Sequence, residues 1–233
     1  MRNKLRFAVW LWPHSRAKIW VLNRLGYEID SSATVGACLF WHVDKVKIGP
    51  GASVQQFNAV RNLRLFSLEQ GALLGSYNFI SAAPPFAIWF PKSHHGELKM
   101  APYAKIASRH TIDCSGRVSI GTFSSIAGHN TTFLTHSTDL RLNAQVARPI
   151  VIGDRSFVGT NSIVLGGAVL PARSILAAGS LLTASRSAGN PGLWAGMPAK
   201  WKSVTDGLWF DREETRTTSV ADSVSGEQIV DAF

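Results

Sequence analysis

An aliphatic residue returns every six positions between residues 152 and 182, and a small residue follows four places after each of the first five. The aliphatic positions are Ile152, Val158, Val164, Leu170, Leu176 and Leu182, and the small ones are Ser156, Ser162, Ala168, Ser174 and Ser180. A period of six matches neither an α-helix nor an open β-strand. It is the period of the hexapeptide β-helix repeat, in which each hexapeptide supplies one short strand and one corner. We therefore predict an all-β coil whose turns stack at the spacing of parallel strands, with the aliphatic residue pointing inward.

The same spacing recurs upstream in shorter blocks. These blocks are Ile48, Val54 and Val60; Leu68, Leu74 and Ile80; Ile106 and Ile112; and Ile120 and Ile126. Two segments interrupt the pattern. Residues 81–99 contain three prolines, and residues 137–149 are polar with two arginines. Both segments are predicted to be loops that leave the coil.

The chain has 233 residues and 45% hydrophobic content, which suits one elongated core. We predict a helical cap over residues 1–28, a hexapeptide-repeat domain over residues 29–203, and a polar acidic tail over residues 204–233. The tail is expected to be poorly ordered beyond Asp211. Pro13 should divide the cap into two short amphipathic pieces. The apolar run at residues 7–12 is too short to span a bilayer, so a cap is preferred, and peripheral membrane contact through this tryptophan-rich, basic segment stays open.

Charge is uneven along the chain. Residues 205–233 contain seven acids and two arginines, so residues 1–204 carry 22 Lys and Arg against 8 Asp and Glu, a net charge of +14. Such a body should attract phosphates, but no RNA-binding motif favours nucleic acid as the partner. Cys38 and Cys114 lie far apart in no metal-type spacing, which suits a reducing cytoplasm. We expect a cytoplasmic protein, with the inner face of the membrane as the alternative.

His136 lies in the segment Thr-Phe-Leu-Thr-His-Ser-Thr-Asp, where the repeat stops and the second insertion begins. The edge of a coil beside a loop holds a side chain on a rigid support while leaving it open to substrate. Imidazole is suited to proton transfer because its ordinary pKa lies near neutral pH. His136 is therefore the candidate catalytic residue.

Three segments together carry a family resemblance. They are Thr-His-Ser-Thr-Asp at 135–139, Pro-Ile-Val-Ile-Gly-Asp-Arg-Ser-Phe-Val-Gly-Thr-Asn-Ser at 149–162 and Trp-Ala-Gly-Met-Pro-Ala-Lys at 194–200. With the repeat, they resemble the hexapeptide-repeat O-acetyltransferases, and most of all those of polysaccharide biosynthesis. The resemblance implies a left-handed parallel β-helix, a homotrimer with active sites between subunits, acetyl-CoA as co-substrate, no metal, and a sugar or glycan as acceptor.

For the catalytic site, the resemblance implies that His136 is the general base for the acceptor hydroxyl. Asp139 and Asp113 are both candidates to orient the imidazole ring or to contact the acceptor. Arg109 and His110 are predicted to line the acceptor pocket. The donor of the oxyanion hole is not identified.

For acetyl-CoA, the family places the pantetheine arm along the outside of the last coils. The matching positions are Phe157, Gly159, Thr160, Ala178, Gly179 and Thr183. Lys200 matches a basic residue that meets the nucleotide phosphates. Where relatives commonly have Lys after the position of Thr183, this chain has Ala184, and Arg186 is the predicted substitute.

Two other functions stay open at this stage. A zinc hydro-lyase on the same fold needs three converging histidines, but His129 and His136 are seven residues apart where that family shows five. A coil that has lost catalysis would serve as an assembly or nucleotide-binding module, and the intact His136 segment argues against it.

Overall fold

A computed structural model describes residues 2–184, 189–215 and 217–232. Between Glu28 and Ser203, the described residues wind into a left-handed parallel β-helix, in which successive turns add one strand to each of three sheets. Each strand pairs with the strand one turn later, so Lys45, Leu65, Glu97 and Arg117 form a single row. The predicted all-β, left-handed coil with a short N-terminal helical segment is confirmed.

The three sheets divide the strands by face. The first sheet contains β1 (Glu28–Ile29), β4 (Lys45–Ile48), β7 (Leu65–Leu68), β10 (Glu97–Met100), β13 (Arg117–Ile120), β18 (Ile150–Ile152) and β21 (Val169–Leu170). The second contains β2 (Thr34–Val35), β5 (Ser53–Val54), β8 (Leu73–Leu74), β11 (Lys105–Ile106), β14 (Ser125–Ile126), β19 (Phe157–Val158), β22 (Ile175–Leu176), β24 (Leu193–Gly196) and the antiparallel β25 (Ala199–Ser203). The third contains β3 (Leu39–Trp41), β6 (Ala59–Arg61), β9 (Phe79–Ser81), β12 (Thr111–Asp113), β15 (Thr132–Leu134), β20 (Ile163–Leu165) and β23 (Leu181–Leu182).

The interior of the coil is filled by the residues that the six-residue period identifies. All six aliphatic residues between 152 and 182, and those of the upstream blocks, are buried. The small followers are buried as well, because each stands at a corner directly beneath the next turn. Ser156, for example, donates its hydroxyl to the carbonyl of Pro171 at 2.7 Å. A larger residue there would collide with the turn above.

Two helices close the N-terminal end of the coil. They are α1 (Arg2–Trp10) and α2 (Arg16–Arg24), separated at Pro13 as the sequence predicts. The indole of Trp10 stacks on Phe40 of the first complete turn, with ring centroids 3.7 Å apart. Within the described residues, no helix is both long and apolar enough to cross a membrane.

Lys18 ties this cap to the coil from a buried position. Its ammonium donates hydrogen bonds to the carbonyls of Trp10, Trp12 and Gly36, at 2.9, 2.7 and 2.7 Å. Burial lowers the pKa of Lys18 to about 8. The basic character of the segment is thus partly structural.

Both insertions leave the coil at the same edge, where the third sheet turns into the first; we call it the insertion edge. The first insertion contains α3 (Pro84–Trp89) and the 3₁₀ turn Pro91–Ser93. It ends before Glu97, earlier than predicted, because Glu97–Met100 is strand β10 of the first sheet. The second insertion is not an irregular loop but an antiparallel hairpin of β16 (His136–Asp139) and β17 (Ala144–Ala147).

At the opposite edge of the third sheet, the second sheet turns into the third without interruption; we call it the ladder edge. The residue before each strand of the third sheet is buried there and polar from the second turn on: Asn58, Asn78, His110, Thr131, Ser162 and Ser180. Side chains in the first four positions accept backbone N–H groups from the next member, as when His110 N donates to Asn78 Oδ1 at 2.9 Å. The ladder satisfies backbone donors that a tight corner would otherwise leave buried and unpaired.

The C-terminal segment differs from its expected disorder. The 3₁₀ turn Leu208–Asp211 packs on the coil, and Arg212 and Thr215 donate hydrogen bonds to the carbonyls of Phe123 and Gly71. Strands β26 (Val220–Ala221) and β27 (Gln228–Ile229) form a small hairpin. The polar composition of the segment did not predict these contacts, because a few aromatic and arginine side chains hold it rather than an apolar core.

Candidate active site

The insertion edge brings Asp113 and His136 together from neighbouring turns. Asp113 is the last residue of β12, and β15 lies beside it, one turn later. Because β15 ends at Leu134, the chain delivers Thr135 and His136 directly over the Asp113 carboxylate. Sequence separation alone, 23 residues, gives no hint of this contact.

The Asp113 carboxylate is saturated with hydrogen bonds. Its Oδ1 accepts from the backbone N–H and hydroxyl of Ser115, at 3.1 and 2.5 Å. Its Oδ2 accepts from the backbone N–H and hydroxyl of Thr135, at 2.8 and 2.5 Å, and from the backbone N–H of His136 at 3.0 Å. Burial alone would raise the pKa of Asp113, but the hydrogen bonds from Ser115, Thr135 and His136 outweigh it and hold that pKa below its usual value.

His136 uses its Nδ1 for this carboxylate. The Nδ1 to Oδ2 distance is 2.8 Å, and the side chain is 36% exposed. An ionised carboxylate only accepts hydrogen bonds, so Nδ1 carries the proton and the lone pair of the neutral ring is on Nε2. An imidazole with a fixed tautomer and a carboxylate partner is an arrangement suited to general-base catalysis.

An apolar cavity of about 270 Å³ opens beside His136. Its walls are Ala83, Pro85, Phe86, Trp89, Phe90, His136 and Gln145. The Phe86 ring packs 6.0 Å from the His136 ring, centroid to centroid. The first insertion therefore forms one wall of this cavity, and the hairpin supplies the other.

Asp139 lies apart from this pair. Its carboxylate accepts the backbone N–H groups of Arg141 and Leu142, at 2.9 and 3.1 Å, and so organises the turn of the hairpin. The structure thus brings Asp113, and not Asp139, into contact with the His136 imidazole.

Arg109 and His110 lie at the ladder edge, across the third sheet from His136. His110 is 1% exposed, and its Nδ1 accepts the backbone N–H of Thr131 at 3.2 Å. Burial and then the neighbouring His129 lower the pKa of His110 to about 4. Arg109 is exposed, and its guanidinium lies 5.9 Å from the centre of the Tyr77 ring. Neither residue lines the cavity beside His136.

Four predicted cofactor residues cluster at the ladder edge: Gly159, Thr160, Ala178 and Gly179. A side chain at Gly159 would stand 2.5 Å from the backbone nitrogen of Ala178, so glycine permits the close stacking of these turns. Gly179 has φ +69° and open space beyond its Cα. Thr160 exchanges two hydrogen bonds with the backbone of His129, which gives it a structural role as well.

The remaining predicted cofactor residues are dispersed. Thr183 directly follows β23, and Lys200 is exposed on β25, paired with Ala195. Phe157 faces outward from the second sheet, where its ring packs 5.4 Å from Trp209 of the C-terminal segment. Arg186 lies outside the described residues.

The Asp113–His136 pair and the ladder-edge cluster lie on opposite edges of the third sheet. Gly166 lies directly over Thr135 at the insertion edge, whereas Thr160 is at the ladder edge. The three residues of strand β20, Ile163–Leu165, lie between these edges and span about 10 Å at the usual rise per residue, and the corner residues on either side add to this. A thioester held along the ladder edge of one chain is therefore far from that chain's own His136.

Sequence reasoning missed Ser115, Thr135 and the aromatic wall. Asp113-Cys114-Ser115 is an Asx turn, in which an aspartate accepts the N–H two residues later, and this pattern is visible in the sequence. The wall formed by Phe86, Trp89 and Phe90 has no such signal, because the proline-rich insertion shows no periodicity. Among the described residues, no group of three or more His, Cys, Asp or Glu side chains could hold a metal ion.

No protein-family model matches the sequence, and no curated protein sequence matches it significantly. Solved structures do match. The polysialic acid O-acetyltransferase OatWY superposes with a TM-score of 0.55 at 16% identity, over 78% of this chain and 86% of that chain. A mutant of AntD, an N-acyltransferase from Bacillus cereus in complex with dTDP-4-amino-4,6-dideoxyglucose and coenzyme A, has a TM-score of 0.53 at 9% identity, over 84% of this chain and 92% of that chain.

Proposed function

The protein shares the left-handed β-helix fold of the hexapeptide-repeat acetyltransferases, and from this fold and the site we propose that it transfers an acetyl group from acetyl-CoA to a hydroxyl of a sugar or polysaccharide precursor. The observation that carries the proposal is the 2.8 Å contact between His136 Nδ1 and Asp113, which leaves Nε2 available at an open cavity. Two structural neighbours support a sugar acceptor. OatWY is named as a polysialic acid O-acetyltransferase, and the AntD structure contains dTDP-4-amino-4,6-dideoxyglucose.

The residues of the site account for the proton transfers of this reaction. His136 Nε2 removes the proton from the acceptor hydroxyl while the acceptor oxygen attacks the thioester carbonyl. The carbon–sulfur bond then breaks, and the imidazolium returns the proton to the departing thiolate. The Asp113 carboxylate stabilises the imidazolium between these two steps without taking the proton itself.

The ladder-edge cluster fits the pantetheine arm of acetyl-CoA. Ala178 and Gly179 are exposed, and no heavy atom lies within 4 Å of the position that a Gly179 side chain would take. Backbone amides at such small residues are accessible to an extended amide chain. Lys200 supplies an exposed positive charge for the phosphates.

Because β20 holds the two edges of one chain more than about 10 Å apart, we place each active site between two copies. The outer face of the third sheet, which joins the edges, carries large apolar side chains beside the exposed Arg61: Leu39, Trp41, Phe79 and Leu134 are each about two-fifths exposed. Packing this face against a neighbour in a closed ring of three would bring His136 of one copy to the ladder edge of the next. A homotrimer is thus part of the proposal.

The first experiment measures coenzyme A release from acetyl-CoA with acceptors that differ in one group. The panel contains neutral methyl hexopyranosides, an amino sugar and oligosialic acid, and mass spectrometry identifies the acetylated product. We expect O-acetylation of at least one hydroxyl acceptor. Binding of coenzyme A without turnover on any acceptor would instead establish a nucleotide-binding module, and acylation of the amine alone would establish an N-acyltransferase.

The second experiment tests the shared active site by complementation. His136→Ala removes the base, and Ala178→Trp blocks the proposed path of the pantetheine arm at the other edge. Each variant alone should be inactive. In co-expressed trimers, about a quarter of the interfaces should combine an intact His136 with an intact ladder edge and regain activity. Absence of recovery, with mixed trimers verified by mass spectrometry, would contradict a site shared between copies.

A further inference from the structure

The first insertion presents its aromatic side chains in two different ways. Phe86 of α3 is buried at 7% exposure against His136 and His95. Trp89 and Phe90, at 76% and 55% exposure, form the outer wall of the cavity. Ile88 is also exposed on α3 but does not line the cavity. The two exposed rings therefore stand at the mouth of the catalytic pocket rather than in the core.

The chemistry of the walls restricts what can enter. Among the described residues that line the cavity, polar groups come only from His136, Gln145 and the indole N–H of Trp89, and Gln145 Nε2 donates to Thr138 Oγ1 at 2.9 Å. None of the described residues that line it is Arg, Lys, Asp or Glu. A charged group would lose its hydration there without gaining a partner. The cavity therefore suits a neutral ligand with one apolar surface.

The size of the cavity restricts the ligand further. At about 270 Å³, it is smaller than the pockets that enclose drug-sized molecules, which begin at about 300 Å³. One sugar ring fits such a space, and a longer glycan would have to continue into solvent. A pyranose ring also has a face of C–H groups, which packs on aromatic rings while its hydroxyls project from the edge.

We propose that Trp89 and Phe90 form an acceptor platform that holds the apolar face of a neutral pyranose ring and directs one of its hydroxyls toward His136 Nε2. The effect of this platform on catalysis rests on the proposed acetyl transfer. The binding of a sugar to the platform does not depend on that reaction. Specificity for neutral over anionic sugars follows from the uncharged walls. Trp89 is the main determinant because it is the larger and more exposed ring.

The test compares Trp89→Ala with Trp89→Phe, and Ile88→Ala is the matched control on the same helix. With a neutral methyl hexopyranoside, we expect Trp89→Ala to raise the acceptor KM by about tenfold, the order of an aromatic contact, without changing the KM for acetyl-CoA. Trp89→Phe should recover most of this loss, and Ile88→Ala should match the unmodified protein. The methyl glycoside of N-acetylneuraminic acid, which carries a carboxylate, should be the poorer acceptor.

A second measurement separates the platform from the proposed reaction. Saturation-transfer NMR with the same methyl hexopyranoside, without acetyl-CoA, should show binding that Trp89→Ala abolishes, even if no acetyl transfer occurs with any acceptor. An unchanged acceptor KM together with unchanged NMR binding in Trp89→Ala would overturn the platform. So would a smaller oligomer of Trp89→Ala in light scattering with its acceptor KM unchanged, because Trp89 would then be an interface residue.

Discussion

His136 and His110 lie at opposite edges of the third sheet, and their surroundings are opposite. At the insertion edge His136 is partly exposed, and its Nδ1 donates to a carboxylate. At the ladder edge His110 is buried, and its Nδ1 accepts a backbone N–H. The carboxylate partner and the open cavity suit the first ring to the proposed role of base, whereas the backbone partner and burial make the second a structural acceptor. Residue type alone therefore does not identify the catalytic group; its partner and exposure do.

Removing the exposed imidazole should have the largest effect. His136→Ala is expected to lower kcat by about 10²- to 10⁴-fold, the range for losing a general base, with coenzyme A affinity and thermal stability nearly unchanged. Steady-state kinetics, calorimetric titration and thermal melting measure the three quantities. His42→Ala, at an exposed corner far along the coil, is the control. A His136→Ala variant that keeps more than half of the activity of the unmodified protein would contradict the role of His136 as the base.

Removing only the carboxylate partner should have a smaller effect on the same quantity. Asp113→Asn keeps the shape of the site but no longer imposes the tautomer with the lone pair on Nε2, so kcat should fall by roughly 10²-fold. The acceptor KM should change little, since Asp113 does not line the cavity. Ser115→Ala, which removes one hydrogen bond to the carboxylate, is the comparison. If it lowers both kcat and the melting temperature as much as Asp113→Asn does, the carboxylate acts only as a structural anchor.

The buried His110 should make the free energy of unfolding depend on pH. His110 has a native pKa of about 4, below the unfolded value of 6.5, so the unfolded chain binds the proton first as pH falls. Stability should therefore decrease between about pH 6.5 and pH 4, by about 3 kcal/mol in total. Urea unfolding across this range measures the loss.

The control for this prediction is His110→Asn, which keeps an acceptor for Thr131 but does not titrate, and should flatten the curve in that window. The contribution of Asp113 lies elsewhere. Its lowered pKa stabilises the fold above its unfolded value of 3.8, and that stabilisation is lost only as the pH falls further. A His110→Asn curve identical to the original would assign the pH dependence to other groups.

The smallest effect concerns the phosphates of the donor. Lys200→Ala should weaken coenzyme A binding by roughly 1 to 2 kcal/mol, through loss of a charge-assisted contact, and by less at high salt. Lys202→Ala, an exposed lysine on the same strand, is the matched control. Repeating the titration with dephospho-coenzyme A shows whether the 3′-phosphate is the group that Lys200 contacts. If Lys200→Ala leaves the Kd for coenzyme A unchanged, Lys200 does not contact the phosphates and the basic surface binds another partner.

The interior of the coil was predictable from sequence because a period-six constraint acts on every turn. Ile152 and Leu182 occupy equivalent positions five hexapeptide repeats apart, and both are buried. The ladder was not predictable by the same means. Insertions of different length separate its members, so Asn78 and His110 stand in register only once the turns are stacked.

The candidate site was predictable in part for a related reason. His136 could be found because it marks the end of a repeat, but the choice between Asp113 and Asp139 depends on which carboxylate faces the ring. Asp139 is closer in sequence, yet the hairpin carries it away to cap a turn. The partner across the turns, Asp113, is selected by strand register, which no local pattern encodes.

The C-terminal segment changes how the coil should come apart. A stack whose turns touch only their neighbours frays from its open end, one turn at a time. Here the guanidinium of Arg173 pairs with Asp211, Arg155 donates to the Phe210 carbonyl, and Thr215 reaches Gly71, several turns nearer the N-terminus. The C-terminal segment therefore joins distant turns of the coil. The last turns can unfold only after these contacts break. Cutting the chain before Gly207 should convert a single cooperative transition into gradual unzipping from that end.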